Sequence, residues 1–557
     1  MKVVIVGGVA GGMSAATRLR RLEADAHIVV FERSGHVSYA NCGLPYYVGG
    51  VITDRQDLLL QTPASLASRF DLDVRVHHEV VAIDREARTV RVRDLEHGVE
   101  HDEAYDHLVL STGASPIVPS IPGVERAMTL RTVEDVDAIV DRLHAGARTA
   151  VVVGGGFIGL EAAENLRHQG LEVTVVELAS QVLAPLDPEM VTPVHEELRR
   201  HGVTLALGAE VTGVTADAVQ LGDGRELAAD LVVLAIGVRP DTRLAQAAGL
   251  RLGGRRGIAV DAQQRTSDPH IFAVGDAVEK RDANDGGAAL VPLAHVANRT
   301  GRRAADAIAG RPTSAAPSLG TAIVQVFDLT VAVTGWNERR ARSAAVEHRV
   351  LHTHPAAHAG YYPGAETLAL KLVVAPDGRI LGAQGVGRDG VDKRIDVLAT
   401  APHGGITAPE LADLELAYAP PFGSAKDPVN MLGYLAENLL HGGVDAVQWH
   451  ELAERVAAGA TLVDVRTAEE HAAGRIPGAR NLPLDELRER FGELPAGPLV
   501  VHCEVGQRAH TAAMLLRAHG REVANLDGGY RTWVAGTASA SPAAAEGLAS
   551  DLALATT

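Results

Sequence analysis

The strongest constraint on the fold is a pattern that occurs twice. A short apolar run leads into a glycine-rich turn, a helix and a second apolar run that ends in an acidic residue. The first copy extends from Lys2–Val6 to Glu32, and the second extends from Ala150–Val153 to Glu177. Glycines at such a turn allow close approach to a pyrophosphate, the helix N-terminus supplies unpaired N–H groups, and the acid holds a ribose hydroxyl. We therefore predict two Rossmann-like dinucleotide-binding units in an α/β fold.

The two glycine turns differ in detail. The second has glycine at all three positions of the usual pattern, Gly154, Gly156 and Gly159, whereas Val9 occupies the middle position of the first. Further apolar runs close on small-residue turns, as expected of buried parallel strands. These segments are Leu108–Gly113, Leu234–Gly237 and Ile271–Asp276.

Bulk properties limit the classes of partner. At 557 residues the chain needs three to four domains of about 150 residues each. The formal net charge of -18 argues against a nucleic-acid partner. Apolar runs are shorter than the roughly 20 residues of a membrane span, and the first residues show no signal-peptide pattern. We expect a cytoplasmic protein with no membrane partner, and with at most one internal disulfide because it has two cysteines.

The first cysteine, Cys42, lies in Ser38–Tyr47, shortly after the strand that ends at Glu32. Together with the two dinucleotide units, this segment resembles the two-dinucleotide flavoprotein disulfide reductases. Most of those enzymes have a second cysteine at the position that Tyr47 occupies here. A lone cysteine can attack an S–S bond as a thiolate and form a mixed disulfide. It can also cycle through a sulfenic acid with peroxide or oxygen.

Two subfamilies use a lone cysteine. NADH peroxidases and oxidases carry a histidine where this chain has Ala10. The segments Gly7–Ala16 and Ser38–Gly43 instead resemble the coenzyme A-disulfide reductases, which share the run Gly-Gly-Val-Ala-Gly-Gly and so account for Val9. This resemblance implies FAD at the first unit and NAD(P)H at the second. NADH is favoured over NADPH because Glu177 repels a 2′-phosphate.

The resemblance also implies the residues that contact each cofactor. The expected FAD contacts are Gly7, Gly8, Ala10, Gly11, Gly12, Glu32, Arg33, Val80, Ser111, Thr112, Gly113, Asp276 and Ala294. Within this set, Glu32 is expected to bind the ribose and Asp276 the flavin ribitol. The expected NAD(P)H contacts are Gly154, Gly156, Phe157, Ile158, Gly159, Glu177 and Gly237.

Coenzyme A carries several phosphates and needs a cationic site. The resemblance favours Arg18 and Arg21, one helical turn apart, together with Ser38 and Asn41. A second basic cluster comprises Arg299, Arg302 and Arg303. In the subfamily, tyrosines of the partner subunit reach the reactive cysteine. The corresponding candidates here are Tyr361 and Tyr418, with Tyr362 as the alternative to Tyr361.

The second cysteine, Cys503, follows the apolar run Leu499–His502 and precedes a predicted helix at Ala509–Ala518. A cysteine on a strand-to-helix loop faces backbone N–H groups and a helix N-terminus, which stabilise a thiolate or persulfide, and Arg508 adds positive charge. This loop resembles that of rhodaneses, which carry sulfane sulfur on cysteine. The resemblance extends over Leu462–Arg466, Glu470–Asn481 and Asp527–Tyr530, with Arg475 replacing the usual histidine.

These observations predict a domain order. We expect an FAD-binding domain at 1–113 and 245–318 and an NAD(P)H-binding domain at 114–244. An α+β dimerisation domain at 319–440, a rhodanese α/β domain at 445–536 and a disordered tail at 537–557 are expected to follow. The expected homodimer reduces coenzyme A disulfide, coenzyme A persulfide or polysulfide at Cys42, using NAD(P)H and FAD. Cys503 handles sulfane sulfur, and no metal is expected. The alternatives are an NADH oxidase or peroxidase, and a non-catalytic sulfur-responsive binding module.

Overall fold

The computed structural model describes residues 1–539, which form two compact units. Unit 1 comprises Met1–Leu178 and Gly202–Gly320, and unit 2 comprises Ala179–His201 and the chain from Thr321 onward. Among residues 1–539, every helix falls short of the length and apolar character that a membrane span requires.

Unit 1 begins with the first predicted dinucleotide unit. Its elements are β1 (Lys2–Val6), α1 (Ala10–Leu22), β2 (His27–Phe31), α2 (Leu44–Val48), α3 (Pro63–Phe70), β3 (Asp73–Arg75), β4 (His78–Asp84), β5 (Thr89–Asp94), β6 (Glu100–Ala104), β7 (His107–Leu110) and β8 (Ala114–Pro116). Strand β1 pairs in parallel with β2 and with β7, so that Val4 lies beside Val29 and Leu108. All three residues are fully buried, as the apolar runs predict for a sheet covered on both faces.

The second dinucleotide unit follows. Its elements are β9 (Met128–Thr129), α4 (Val133–His144), β10 (Thr149–Val153), α5 (Phe157–His168), β11 (Glu172–Glu177), α6 (Pro188–Arg200), β12 (Val203–Leu207), β13 (Val211–Val214), β14 (Ala218–Leu221), β15 (Glu226–Ala228), β16 (Leu231–Leu234), β17 (Val238–Pro240) and α7 (Arg243–Ala247). The parallel sheet has the order β12-β11-β10-β16-β9. The sequence pattern predicts this helix at Leu160–Gln169, but α5 begins three residues earlier, at Phe157, because Gly156 is its N-cap. Helix α6 belongs to unit 2.

The chain then returns to the first sheet. The elements are β18 (Ile271–Ala273), β19 (Lys280–Arg281), β20 (Ala288–Ala289) and α8 (Ala294–Ile308). Strand β18 joins β7 and completes the order β18-β7-β1-β2-β3. Helices α1 and α8 approach so closely that a Cβ atom on Gly301 would lie 2.1 Å from the carbonyl oxygen of Gly11. The loops after β1, β2, β7 and β18 therefore share one edge of the sheet.

Unit 2 contains an antiparallel sheet with helices on it. Its elements are β21 (Ala322–Val326), β22 (Leu329–Gly335), α9 (Glu338–Ser343), β23 (Arg349–Thr353), β24 (Ala369–Val374), β25 (Ile380–Gly387), α10 (Val391–Thr400) and α11 (Pro428–Leu440). The strand order is β21-β22-β25-β24-β23. Leu370 and Leu372 of β24 pack against α10 and α11 through Ile395 and Leu432, in one apolar core.

A second sheet of unit 2, now parallel, ends the described chain. Its elements are β26 (Asp445–Val447), α12 (Leu452–Ala457), β27 (Thr461–Asp464), α13 (Ala468–Ala473), β28 (Arg480–Asn481), α14 (Leu484–Arg490), β29 (Leu499–His502), α15 (Gln507–Ala518), β30 (Val523–Leu526) and α16 (Gly529–Ser539). The strand order is β26-β30-β29-β27-β28. The predicted α/β fold class is thus confirmed. Of the predicted tail, 537–539 form the end of α16, and 540–557 lie outside the described residues.

Buried charges connect α6, the antiparallel sheet and the parallel sheet of unit 2. Lys371 on β24 is fully buried, and its Nζ atom contacts three buried carboxylates, those of Asp187, Glu189 and Glu338. His352 on β23 lies 2.7 Å from Asp527 through Nδ1 and 3.0 Å from Glu189 through Nε2. Trp449 Nε1 donates to Glu189 over 3.2 Å. This group of seven residues, called the buried ion network below, fixes the parallel sheet of unit 2 to the antiparallel sheet.

Candidate functional site

The two glycine turns have the same geometry. Gly7 and Gly154 have left-handed backbones, with φ of +101° and +108°. A Cβ atom on Gly12 would lie 1.9 Å from the Gly7 oxygen, and one on Gly159 would lie 2.0 Å from the Gly154 oxygen. Each helix therefore meets the preceding strand at a distance that only glycine allows.

The acid that follows each turn also lies in the same place. The N–H group of Gly8 donates to Glu32 over 2.8 Å, and the N–H group of Gly155 donates to Glu177 over 2.7 Å. Neither α1 nor α5 has a side-chain N-cap, so the first-turn N–H groups remain available to an anion. This arrangement fits the pyrophosphate and ribose of a dinucleotide at each turn, FAD at the first and NADH at the second.

The remaining predicted FAD residues lie around the same sheet edge. Ser111, Thr112 and Gly113 follow β7, and the Thr112 hydroxyl donates to the Asp241 carbonyl over 2.6 Å. Arg33, after β2, lies 3.8 Å from the Asp241 carboxylate. Asp276, after β18, accepts a 3.2 Å hydrogen bond from Arg131. Val80 is buried in β4, and Ala294 is the first residue of α8.

The predicted NAD(P)H residues cluster around the second turn. Phe157 and Ile158 form the first turn of α5, and Ile158 is partly exposed. Gly237 follows β16 and has a φ of +106°. Since β10 and β16 are neighbours in the sheet, Gly237 lies at the strand edge from which the Gly154 turn leaves.

The loop that carries Cys42 packs against the first glycine turn. The N–H group of Ser38 donates to the Gly8 carbonyl over 2.8 Å, and Ser38 itself has a left-handed φ of +47°. Such a backbone is unfavourable for a non-glycine residue and persists only where its surroundings impose it. The loop leads into a single helical turn, Asn41–Gly43, in which Cys42 is exposed and its thiol lies 3.8 Å from the Asn41 side-chain oxygen.

Loss of hydration and nearby charged groups both shift the pKa of the Cys42 thiol. Partial loss of hydration raises this pKa, the Glu161 carboxylate raises it further, and the Arg131 guanidinium lowers it. Burial raises the pKa of Glu161 itself to about 7. The Tyr46 hydroxyl donates to Glu161 over 3.3 Å, and burial together with Glu161 raises the pKa of Tyr46 to about 12.

Sequence reasoning missed Arg131, Tyr46 and Glu161. Glu161 follows Gly159 by two residues on α5, and Tyr46 is one helical turn beyond Cys42, but neither position stands out in the sequence alone. Arg131 lies in the short segment between β9 and α4 and belongs to no recognisable pattern.

The basic residues predicted for coenzyme A differ in their contacts. Arg18 is partly buried and forms an ion pair with Asp306 of α8 at 2.7 Å. Arg21 is exposed, and no carboxylate lies within 4.0 Å of it among the described residues. Helix α1 packs on α8, which carries the exposed Arg299 and Arg302. The two basic clusters predicted from the sequence therefore lie on neighbouring helices.

The predicted tyrosine pair is brought together in unit 2. The hydroxyl oxygens of Tyr361 and Tyr418 lie 3.1 Å apart, within hydrogen-bonding distance. Their side chains are 76% and 49% exposed, which is unusual for large aromatic groups. The bond to Tyr418 raises the pKa of the Tyr361 hydroxyl. Tyr362, the alternative, instead packs its ring edge-on against His358.

Cys503 lies on the predicted strand-to-helix loop, between β29 and α15. It is 1% exposed, and its carbonyl oxygen accepts a 2.8 Å hydrogen bond from the Tyr530 N–H group. Gly506, with a φ of +90°, is the N-cap of α15 and turns the loop back toward the helix. The backbone of the loop is therefore held on the turn that follows β30.

Arg508 is fixed beside this loop. It makes two hydrogen bonds of 2.7 Å to the Glu470 carboxylate, which lowers the pKa of Glu470 to about 2. The bond to Glu470, and more weakly the Cys503 thiol, raise the pKa of the guanidinium. Arg466 stacks 4.2 Å from the ring centre of Tyr530 and binds Glu504 over 3.2 Å. Two guanidinium groups thus flank the loop.

Three regions of the chain match models of known protein families. Residues 1–301 match the model of the pyridine nucleotide-disulphide oxidoreductases, residues 321–428 match their dimerisation domain, and residues 448–536 match the rhodanese-like domain. The chain belongs to the pyridine nucleotide-disulphide oxidoreductase family. The predicted family membership, and with it an oxidoreductase carrying a rhodanese domain, is confirmed.

Individual relatives are similar over most of the chain. The coenzyme A disulfide reductase of Staphylococcus aureus is 35% identical over 441 residues, which are 78% of this chain and 100% of the relative. The reduced CoADR-RHD of Bacillus anthracis is 48% identical, with a TM-score of 0.95 over 96% of this chain and 98% of that one. The NAD-dependent persulfide reductase of A. fulgidus is 39% identical, with a TM-score of 0.90 over 96% of this chain and 100% of that one.

Proposed function

We propose that this protein is an FAD-dependent NADH oxidoreductase that reduces coenzyme A disulfide or coenzyme A persulfide at Cys42, and that its rhodanese domain handles sulfane sulfur through Cys503. The observation that carries this proposal is an exposed lone thiol on a loop packed against the first dinucleotide turn. The similarity to a coenzyme A disulfide reductase and to a persulfide reductase supports the two substrates.

Cys42 acts as the nucleophile in this proposal. As a thiolate it attacks one sulfur of coenzyme A disulfide, forms a mixed disulfide and releases one coenzyme A thiolate. The first glycine turn would hold FAD, which would supply the two electrons of NADH that are needed to open the mixed disulfide and release the second thiolate. The sum is CoA–S–S–CoA + NADH + H⁺ giving two CoA–SH and NAD⁺. With the persulfide the products are CoA–SH, H₂S and NAD⁺.

Nearby groups of the chain control the proton and the charge at Cys42. The Arg131 guanidinium favours the thiolate form of Cys42. The Glu161 carboxylate disfavours that form, and this effect ends when Glu161 is protonated. Since the pKa of Glu161 is about 7 and it is bonded to Tyr46, this pair is suited to hold a proton near the thiol at neutral pH. We assign Arg21, with Ser38 and Asn41, to the binding of coenzyme A. We assign a structural role to Arg18, because its ion pair with Asp306 connects α1 to α8.

We further propose a cytoplasmic homodimer in which the Tyr361–Tyr418 pair of one protomer faces Cys42 of its partner. The exposure of two bonded tyrosines and the match to a dimerisation domain support this arrangement. Two hydroxyls at hydrogen-bonding distance can stabilise the negative charge on a departing thiolate.

The test compares the holoenzyme with its Cys42→Ser and Cys503→Ser variants on coenzyme A disulfide, coenzyme A persulfide, polysulfide and peroxide. We expect Cys42→Ser to lose at least about a thousandfold in NADH turnover on the disulfide and the persulfide. We expect Cys503→Ser to retain turnover of coenzyme A disulfide and to lose polysulfide turnover. Full activity of Cys42→Ser on all sulfur substrates would refute the proposal.

The same measurements separate the alternatives. An NADH oxidase or peroxidase would turn over oxygen or peroxide faster than any sulfur substrate, which Ala10 disfavours. A non-catalytic sulfur-responsive module would show no steady NADH consumption with any of the four substrates.

A further inference from the structure

Unit 2 contains a cavity of about 540 Å³ that none of the proposed chemistry uses. Its walls come from β23, the end of α11, β26 and the end of α15, so both sheets of unit 2 contribute to it. The volume lies within the range of about 300–1,000 Å³ that is usual for small-molecule sites. Its apolar lining comprises Val350, Leu439, Val444 and Ala446.

The acidic residues that line this cavity already have partners. Glu338 binds Lys371 over 2.7 Å and is also paired with Arg342. Asp445 lies 3.7 Å from Arg455. Glu451 accepts a hydrogen bond of 2.9 Å from the backbone N–H group of Gln448. Glu338 and Asp445 therefore have cationic partners within the protein, and Glu451 has a backbone donor.

Two cationic groups of the lining are not compensated in this way. Arg349 and Arg517 are exposed, and in the part of the chain that the structure describes neither has a carboxylate within 4.0 Å. Arg517 donates through Nη1 to the Gly442 carbonyl over 3.3 Å, which leaves its other nitrogen atoms available. His348 contacts the Val346 carbonyl through Nδ1, and its Nε2 atom has no hydrogen-bond partner among residues 1–539. The hydrogen-bonding capacity that remains in the cavity is thus mostly donor capacity.

We propose that this cavity binds a phosphorylated anion of nucleotide size, held by Arg349 and Arg517. Two guanidinium groups offer forked donors that match phosphate oxygens. The apolar wall accommodates a ring, and the volume exceeds what inorganic phosphate needs. Arg349 comes from β23 and Arg517 from α15, so a single ligand would bridge the two sheets of unit 2.

This site is separate from the Cys503 loop. Cys503 precedes the N-terminus of α15, whereas Arg517 lies near its C-terminus, about 15 Å away along the helix. The ligand is therefore not a substrate of that thiol. Glu338, which lines the cavity, is itself a member of the buried ion network, so binding would stabilise the junction between the sheets. The C-terminal ends of α11 and α15 add partial negative charge, which makes binding depend on the two arginines.

The test is calorimetric titration of ADP into the FAD-containing protein saturated with NAD⁺. Adenosine is titrated in parallel as the ligand that lacks phosphate. Two double variants are compared, Arg349→Gln with Arg517→Gln, and the control Arg379→Gln with Arg488→Gln. The control removes the same total charge from exposed arginines that do not line the cavity, one in the turn between β24 and β25 and one on α14. Turnover of NADH with coenzyme A disulfide reports in each case whether the protein is intact.

We expect an ADP-binding site that the cavity variant weakens at least about tenfold and that the control variant retains. Binding at this site should also weaken as the salt concentration rises. Equal ADP affinity in the two double variants, or equal binding of adenosine and ADP, would overturn the proposal. Turnover of coenzyme A disulfide is measured separately. If the wild-type protein showed no such turnover, the result would count against the proposed function and not against this site.

Discussion

The buried ion network predicts a specific dependence of stability on pH. Both ring nitrogens of His352 face carboxylates, at 2.7 Å from Asp527 and 3.0 Å from Glu189, and the side chain is almost fully buried. Burial alone would lower the pKa of His352, but the Asp527 and Glu189 carboxylates outweigh it and raise the pKa to about 9. The imidazolium form is thus part of the folded structure at neutral pH.

The sign and size of the effect follow from linkage. Because the folded-state pKa lies above the unfolded value of about 6.5, the stabilisation is fully present below pH 6.5 and is lost as the pH rises through 9. The difference corresponds to about 3 kcal/mol at pH 6, about 2 kcal/mol at pH 7.5 and less than about 1 kcal/mol at pH 9. In a molecule of marginal stability this is a large fraction of the total.

Tryptophan fluorescence during urea unfolding measures this effect selectively. The three tryptophans of the chain, Trp336, Trp449 and Trp533, all lie in unit 2. We expect the unfolding midpoint of the wild-type protein to fall steeply between pH 6 and pH 9, and that of His352→Gln to start lower and change much less.

A matched control is available two residues away. His354 is partly buried and bonds to Thr532 over 2.7 Å, but loss of hydration lowers its pKa to about 3, so it is neutral throughout this pH range. His354→Gln should therefore keep the wild-type loss of stability between pH 6 and pH 9. If His352→Gln showed that same loss, His352 would not be the titrating group and the reasoning would be refuted.

Three further predictions concern the two thiol sites. Glu161→Gln removes a carboxylate that raises the pKa of the Cys42 thiol, so the midpoint of pH-dependent alkylation of Cys42 should move to lower pH; an unchanged midpoint would contradict this. Arg508→Ala should slow sulfur transfer from polysulfide to cyanide at least about tenfold and spare coenzyme A disulfide reduction, whereas equal loss of both would argue for a general structural defect. Tyr361→Phe and Tyr418→Phe should each slow coenzyme A disulfide turnover about tenfold without additive loss in the double variant, and fully additive losses would show that the hydroxyls act independently.

Local patterns made much of the fold predictable. The strand, glycine turn, helix and acid of each dinucleotide unit are close in sequence, and their roles depend on backbone geometry that glycine alone permits, as at Gly7 and Gly154. The same holds for Cys503, whose preceding strand lies at its predicted place and whose following helix ends where predicted but begins two residues earlier, at Gln507. Helix starts were less predictable, as with α5, because capping by a glycine leaves no side-chain signal.

Contacts between distant segments were not predictable. Arg131 and Glu161 reach the surroundings of Cys42 from positions 89 and 119 residues further along the chain, and no local pattern marks them. The pairing of Arg18 with Asp306 was hidden for the same reason, since a helical face does not reveal which charge will lie opposite it. The assignment of α6 to unit 2, away from the strands that flank it in sequence, depends entirely on tertiary packing.

The burial of charge between the two sheets of unit 2 affects how freely these modules can be exchanged. Glu189 accepts hydrogen bonds from Trp449 and His352, so cutting the chain before Asp445 would remove Trp449 and Asp527 and leave buried charges facing water. A chimaera that combined this reductase with another rhodanese would need residues equivalent to Trp449 and Asp527 at the new boundary. The reductase and rhodanese parts of this chain therefore share buried charged contacts. Exchanging one part alone would leave charged groups of the other part without their partners.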